Sequence, residues 1–148
     1  MVVSHEIDRA HRDAIVDLTV SYSWAVDTGD GEALSNLFTS DGKFQGADGS
    51  VTQGADDLRK FAVRVHESRP YHLQHIAFNH QFRALNTTTV EVRSYVHVYT
   101  GSADGPQLLG MGTYLDTVEH TSDRWLFKER RFESLGRTER AATQPLGG

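Results

Sequence analysis

The second half of the chain constrains the fold most. From Tyr71 onward β-forming residues dominate four successive runs: Tyr71 to Leu85, Thr89 to Thr100, Gln107 to His120 and Arg124 to Leu135. Turn residues at Asn86-Thr87, Gly101 to Pro106 and Thr121 to Asp123 separate them. Links this short join antiparallel neighbours, so the four runs read as one long meander.

The first half reads differently. Ile15, Leu18, Thr19, Tyr22, Ala25 and Val26 recur near helical spacing and predict one long amphipathic helix, which Gly29 ends. Asp30 caps a short second helix running through Ala33, Leu34, Leu37 and Phe38, closed by Ser40-Asp41-Gly42. Asp48-Gly49, between Lys43-Phe44-Gln45 and Ser50-Val51-Thr52, predicts a two-residue hairpin. Asp56 and Asp57 open a third helix whose apolar face is Leu58, Phe61, Ala62 and Val65, and Arg69-Pro70 ends it. Helices first and strands after predict a single α+β domain over residues 1–136, with N-terminal helices packed against a curved, mostly antiparallel sheet. The polar, patternless stretch from Arg137 to Gly148 is expected to be a disordered tail.

Composition removes several function classes. A chain of 148 residues, 38% hydrophobic, is long enough for one core with room for a pocket. Fifteen Lys+Arg against 20 Asp+Glu give a formal charge of -5, which argues against a broad basic face for nucleic acid or anionic lipid. The absence of cysteine excludes disulfides, thiolate zinc sites and cysteine nucleophiles. No apolar run approaches the ~20 residues of a membrane span, and Met1 to Glu6 carries no apolar signal core. The expectation is a soluble, cytoplasmic protein.

Asp27 is the residue out of place. It falls in the last turn of the first helix, where a carboxylate faces the negative end of the macrodipole. On the residues alone it fits either a surface acid bonding the Thr28-Gly29 turn or the partner of a histidine, a pairing that makes a general base. His75 is the best candidate for that histidine, and strand phase sets it apart from its neighbours. Residues 73, 75, 77 and 79 share one face and 72, 74, 76, 78 and 80 the other, so Asn79 joins His75. His72 and His80 then lie opposite to His75 and about 26 Å from one another at ~3.3 Å per residue, which speaks against a metal site built from the three. No metal and no other cofactor is expected.

Four segments carry a resemblance. Ala25-Val26-Asp27-Thr28-Gly29-Asp30-Gly31-Glu32-Ala33-Leu34 with Leu37-Phe38-x-x-Asp41, then His75-Ile76-Ala77-Phe78-Asn79, Gly112-Thr113-Tyr114 and Arg124-Trp125-Leu126-Phe127, together resemble the SnoaL-like branch of the nuclear-transport-factor-2-like superfamily, over roughly residues 10 to 135. Within that branch the pattern is closest to scytalone dehydratase, bile-acid 7α-dehydratase and hexachlorocyclohexane dehydrochlorinase. The resemblance implies a cone-shaped α+β barrel around a largely apolar pocket, in a homodimer or homotrimer. It places Asp27 and His75 inside the cone as a catalytic dyad. Arg130, on one face with Phe132, would assist the leaving group, and Tyr22 matches a tyrosine of the bile-acid enzyme. Phe44, Asn79, Val96, Val98, Tyr114 and Phe132 would line the substrate site, Val96 standing where the scytalone enzyme has a second histidine. The implied function is a cofactor-independent lyase or isomerase acting on a small apolar, cyclic metabolite. Two other readings stay open: a polyketide cyclase, and a non-catalytic ligand-binding or assembly module.

Overall fold

The computed structural model describes residues 7–136; the expected tail from Arg137 lies outside the described residues. Two helices, two strands and a third helix come first, and four successive strands follow. Helix α1 (Arg9–Thr28) is capped by the Asp8 carboxylate, which accepts the His11 N–H at 2.9 Å, and buries Ile15, Leu18, Tyr22, Ala25 and Val26 along one stripe. Gly29 stops it in the left-handed region at φ 70°, and a β-carbon there would also strike the His66 side chain. Helix α2 (Gly31–Ser35) is one turn long, with the Asp30 carboxylate accepting from Ala33 N–H. Helix α3 (Ala55–Glu67) carries Asp56 and Asp57 in its first turn and buries Leu58 and Ala62.

Six strands make one sheet in the order β2-β1-β6-β5-β4-β3. The strands are β1 (Phe38–Gln45), β2 (Val51–Gln53), β3 (Leu73–Ala84), β4 (Thr89–Thr100), β5 (Gln107–Thr121) and β6 (Arg124–Ser134). The meander from β3 to β6 is antiparallel, as the four runs predicted.

The first half departs from its sequence reading in three places. The second helix ends at Ser35, and Phe38 begins a strand instead. Ser40-Asp41-Gly42 is an irregularity inside β1 and closes nothing. The Asp48-Gly49 hairpin forms, but Gln45 pairs with Val51, so the loop spans residues 46–50 where two residues were expected. The cause of the first two is a non-local partner: β1 lies parallel to β6, with Phe38 opposite Phe127 and Phe44 opposite Arg130. Pairing across so much chain leaves no local signature and overrides a weak helical propensity. The sheet is therefore mixed and is not closed into a barrel; β2 and β3 are its free edges.

Curvature follows from what α1 touches. On β1, Phe44 stacks on Tyr22 at 6.2 Å between ring centroids, and on β3 His75 bonds Asp27. Those two strands are four spacings apart, about 19 Å in a flat sheet at ~4.8 Å per strand, whereas a helix is only about 10–12 Å across. The sheet must curl around α1 for both contacts to exist. This puts the inner face of β3 to β6, α1 and α3 around one interior, the α+β cone.

Candidate functional site

Asp27 and His75 meet. The Asp27 carboxylate accepts two hydrogen bonds from one residue: His75 Nδ1 lies 2.6 Å from Oδ1, and the His75 backbone N–H donates to Oδ2 at 2.9 Å. The second bond uses a backbone group that β3, as an edge strand, cannot give to a neighbouring strand. With Nδ1 engaged by a carboxylate, the imidazole proton belongs on Nδ1 and the lone pair on Nε2. Each side chain keeps 14% of its surface exposed, so the pair is partly screened from water without being sealed. On the other side of Asp27, its carbonyl lies 3.0 Å from His66 Nδ1 of α3, which ties the end of α1 to the helix covering the interior.

A small cavity opens in front of His75. Its volume is about 80 Å³, and its walls are Tyr22 and Val26 of α1, Phe44, Phe61 and Val65, and Val98, Tyr114 and Phe132 of the sheet. The expected lining residues Phe44, Val98, Tyr114 and Phe132 are thus brought together with Tyr22 and His75. Val96 has the predicted inward phase and is fully buried, but it packs in the core without reaching the cavity. Phe132 owes its position to Gly112, diagonally across on β5, since any β-carbon there would collide with the Phe132 ring and the Glu133 carbonyl.

Asn79 does not share the face of His75, contrary to the strand-phase reading. It adopts φ 57° and is exposed, and the β3–β4 register slips between Phe78 and Gln81. A bulge inserts one residue and reverses which side chains point inward beyond it. His80 consequently turns inward, with its Nε2 2.9 Å from Thr19 Oγ1, and burial followed by the charge of Arg130 holds its imidazole below the usual histidine range. The one signal for this was the asparagine itself, the residue type besides glycine that best tolerates a left-handed backbone.

Arg130 also lies elsewhere than expected. It is fully buried and does not line the cavity. Its Nε and Nη2 donate to the two oxygens of Asp116, at 2.9 and 3.0 Å, in a bidentate pair. The guanidinium carbon sits 3.8 Å from the Tyr114 ring centre and 4.3 Å from that of Tyr22, so the two phenols stand between Arg130 and the interior. Nη1 makes no hydrogen bond among the described residues. Burial opposes the charge on Arg130, and the Asp116 carboxylate outweighs it and keeps the group above its ordinary range. Asp116 is pushed up by burial and pulled back by the same partner. Sequence reading missed Asp116, although its place between inward-facing Tyr114 and Val118 marks an acid pointing into the core.

The phenols themselves are perturbed. Burial raises Tyr114 to about 12 and lifts Tyr22 well above the usual tyrosine range, and the two hydroxyls are hydrogen-bonded to each other. Groups so reluctant to ionise stay protonated and act as hydrogen-bond donors. The chemical inventory is therefore an oriented imidazole on one wall and a neutral phenol pair on another. Among the described residues no three His, Cys, Asp or Glu side chains gather as metal ligands, and no helix is long and apolar enough to cross a membrane.

Comparisons with known proteins agree with this architecture. A family model described as a SnoaL-like domain matches residues 8–131. Among solved structures, a Novosphingobium aromaticivorans protein described provisionally as an aromatic ring hydroxylase is 27% identical, with 88% of this chain and 92% of that one covered at a TM-score of 0.76. An NTF2-like protein with a cystatin-like fold from the same organism is 20% identical, covers 92% and 90%, and superposes at 0.81. A third, described provisionally as a scytalone dehydratase and also from that organism, is 22% identical, covers 88% and 96%, and superposes at 0.73. No curated protein matches the chain.

Proposed function

The chain belongs to the SnoaL-like family, and on that premise we propose that it is a cofactor-independent lyase or isomerase in which Asp27 and His75 remove a proton from carbon. The observation that carries this reading is the 2.6 Å contact between His75 Nδ1 and Asp27 Oδ1, made beside a cavity that His75 itself lines. In the dehydratase version, Nε2 takes the proton next to a carbonyl and the C–H electron pair becomes the new double bond. The C–O bond at the next carbon breaks, and the departing hydroxide takes up the proton that His75 removed and leaves as water. Asp27 stays ionised and stabilises the imidazolium that forms in between. Tyr22 and Tyr114 are held neutral by burial, and the one O–H of the pair that is not spent on the other phenol donates to oxygen as charge develops on it. Arg130 acts only through these rings, as the cation behind them. The likeness at 22% identity to the dehydratase-described protein is a likeness of fold and adds no residue role.

The substrate on this reading is a small, largely apolar, cyclic metabolite, taken by a cytoplasmic homo-oligomer. Ring closure of a polyketide by the same base is the neighbouring chemistry, and product analysis separates it from loss of water. One observation favours a second reading, a ligand-binding or assembly module without catalysis: the interior cavity is only about 80 Å³. The test is the dehydration of 3-hydroxycyclohexanone and similar cyclic β-hydroxy ketones, followed by the absorbance of the enone product. Wild-type turnover that falls by about 10³-fold or more in His75→Ala, and by a comparable factor in Asp27→Asn, supports the dyad. Undiminished turnover by the His75 variant ends it.

A further inference from the structure

Helix α1 ends, like any helix, in carbonyls that its own hydrogen-bond ladder leaves without a donor. Asp27 carries one of them, and α1 has no basic residue in its last turn to cover it. The donor comes from another helix. His66, in the last turn of α3, places its Nδ1 3.0 Å from the Asp27 carbonyl oxygen. A carbonyl only accepts, so this nitrogen carries a proton and donates it. Gly29 makes room for the contact: a β-carbon there would come within 2.9 Å of His66 Cβ and Cγ and 3.0 Å of Cδ2. One glycine thus ends the helix and leaves the space that the imidazole fills.

The other end of this tie is held firmly. Leu58 and Ala62 seat α3 in the core at 1% and 0% exposure, Phe61 packs on Phe44 at 4.8 Å between ring centroids, and Arg59 Nε donates to Glu32 at 2.8 Å. Phe61 and Val65 of the same helix are walls of the interior cavity, whereas His66 does not line it. Helix ends fray, and a carboxylate on a frayed turn cannot keep a short contact with a neighbouring strand. Resting on the dyad reading above, we propose that His66 is a positioning residue for the proton abstraction. It pins the Asp27 backbone to the cavity wall, while the Asp27 carboxylate takes both of its hydrogen bonds from His75. The proton is thereby kept on His75 Nδ1, and Nε2 is held in a fixed relation to Phe61 and Val65. His66 acts on the reaction only through Asp27.

Histidine ring nitrogens can be followed by NMR without turnover. In the full-length wild-type protein near pH 8.5, where an ordinary imidazole is neutral, His66 should carry its proton on Nδ1. His66→Ala should move the His75 nitrogen shifts toward a tautomer mixture. It should also lower kcat on 3-hydroxycyclohexanone about tenfold with KM within about twofold, since the walls that seat the substrate are untouched. His66→Asn, whose side-chain N–H can take the place of Nδ1, should restore both the shifts and kcat. The ring is exposed, and an unchanged circular dichroism spectrum controls for folding. Three results overturn the proposal: a bare Nδ1 on His66 in the wild-type protein, wild-type His75 shifts in His66→Ala whatever its stability, or a His66→Asn variant as impaired as His66→Ala. The two readings fail separately. His75 shifts that respond to His66 in a protein without turnover sink the dyad chemistry and keep the positioning, whereas full, His75-dependent turnover in His66→Ala does the reverse.

Discussion

The molecule contains two carboxylate–cation pairs with opposite fates. Asp27–His75 and Arg130–Asp116 both join an acid to a nitrogen base at hydrogen-bond distance, and both draw on the inner face of the sheet. The first is part-exposed, spans a helix end and an edge strand, and leaves one ring nitrogen uncommitted. The second is sealed at 0% exposure between neighbouring strands, bidentate and covered by aromatic rings. Burial, and an acceptor lone pair that only the histidine keeps, separate a pair that can do chemistry from one that holds the cone together. Arginine, read from the sequence as an assistant to the leaving group, is here a prop for the phenols that face the interior.

If that contrast is right, activity and stability dissociate between the pairs. His75→Ala should cost about 10³-fold or more in turnover while leaving the unfolding midpoint nearly unchanged. Arg130→Ala should do the reverse in origin, losing about 3–5 kcal/mol of stability in urea unfolding because the Asp116 carboxylate is left buried and alone. Joint replacement by Arg130→Met and Asp116→Leu should recover most of that loss. A single Arg130→Ala variant that unfolds like wild type would break the comparison.

A smaller effect is expected at Gly112. Gly112→Ala forces Phe132 off its seat and should cost about 1–3 kcal/mol by overpacking, with a changed cavity in front of His75 and an altered KM. The smallest concerns His80. Its imidazole is held below the usual histidine range, so the unfolded chain takes up that proton first as pH falls. Its contribution to stability is complete above about pH 6.5 and is lost as pH drops toward its depressed folded value. Denaturant unfolding at about pH 7.5 and about pH 5.5 should show a larger acid loss for wild type than for His80→Gln, which keeps a donor for Thr19.

Sequence reading located what depends on local pattern. The bounds of β4, and of β3, β5 and β6 to within a residue or two, follow from β-forming runs between turn residues. The Asp27–His75 meeting was reachable from helix-end electrostatics, strand phase and family resemblance, because no bulge intervenes between Leu73 and Ala77. The same phase argument failed two residues later at Asn79, where one inserted residue reversed the faces and brought His80 inward. It failed for Arg130 in another way: the side chain has the predicted inward direction, but its partner is chosen by cross-strand register with Asp116, which no linear spacing exposes. The parallel β1–β6 pairing and the cavity volume lie further out of reach, since both are sums over residues from distant elements.

The account stands or falls on how Asp27 sets the His75 ring. Nitrogen NMR of uniformly labelled protein, recorded near pH 8.5 where an ordinary imidazole is neutral, reads the tautomer directly. The account predicts a protonated Nδ1 and a bare Nε2 for His75, shifting toward a tautomer mixture in Asp27→Asn. A proton found on Nε2 in the wild-type protein would contradict it, because the nitrogen offered as the base would already be occupied.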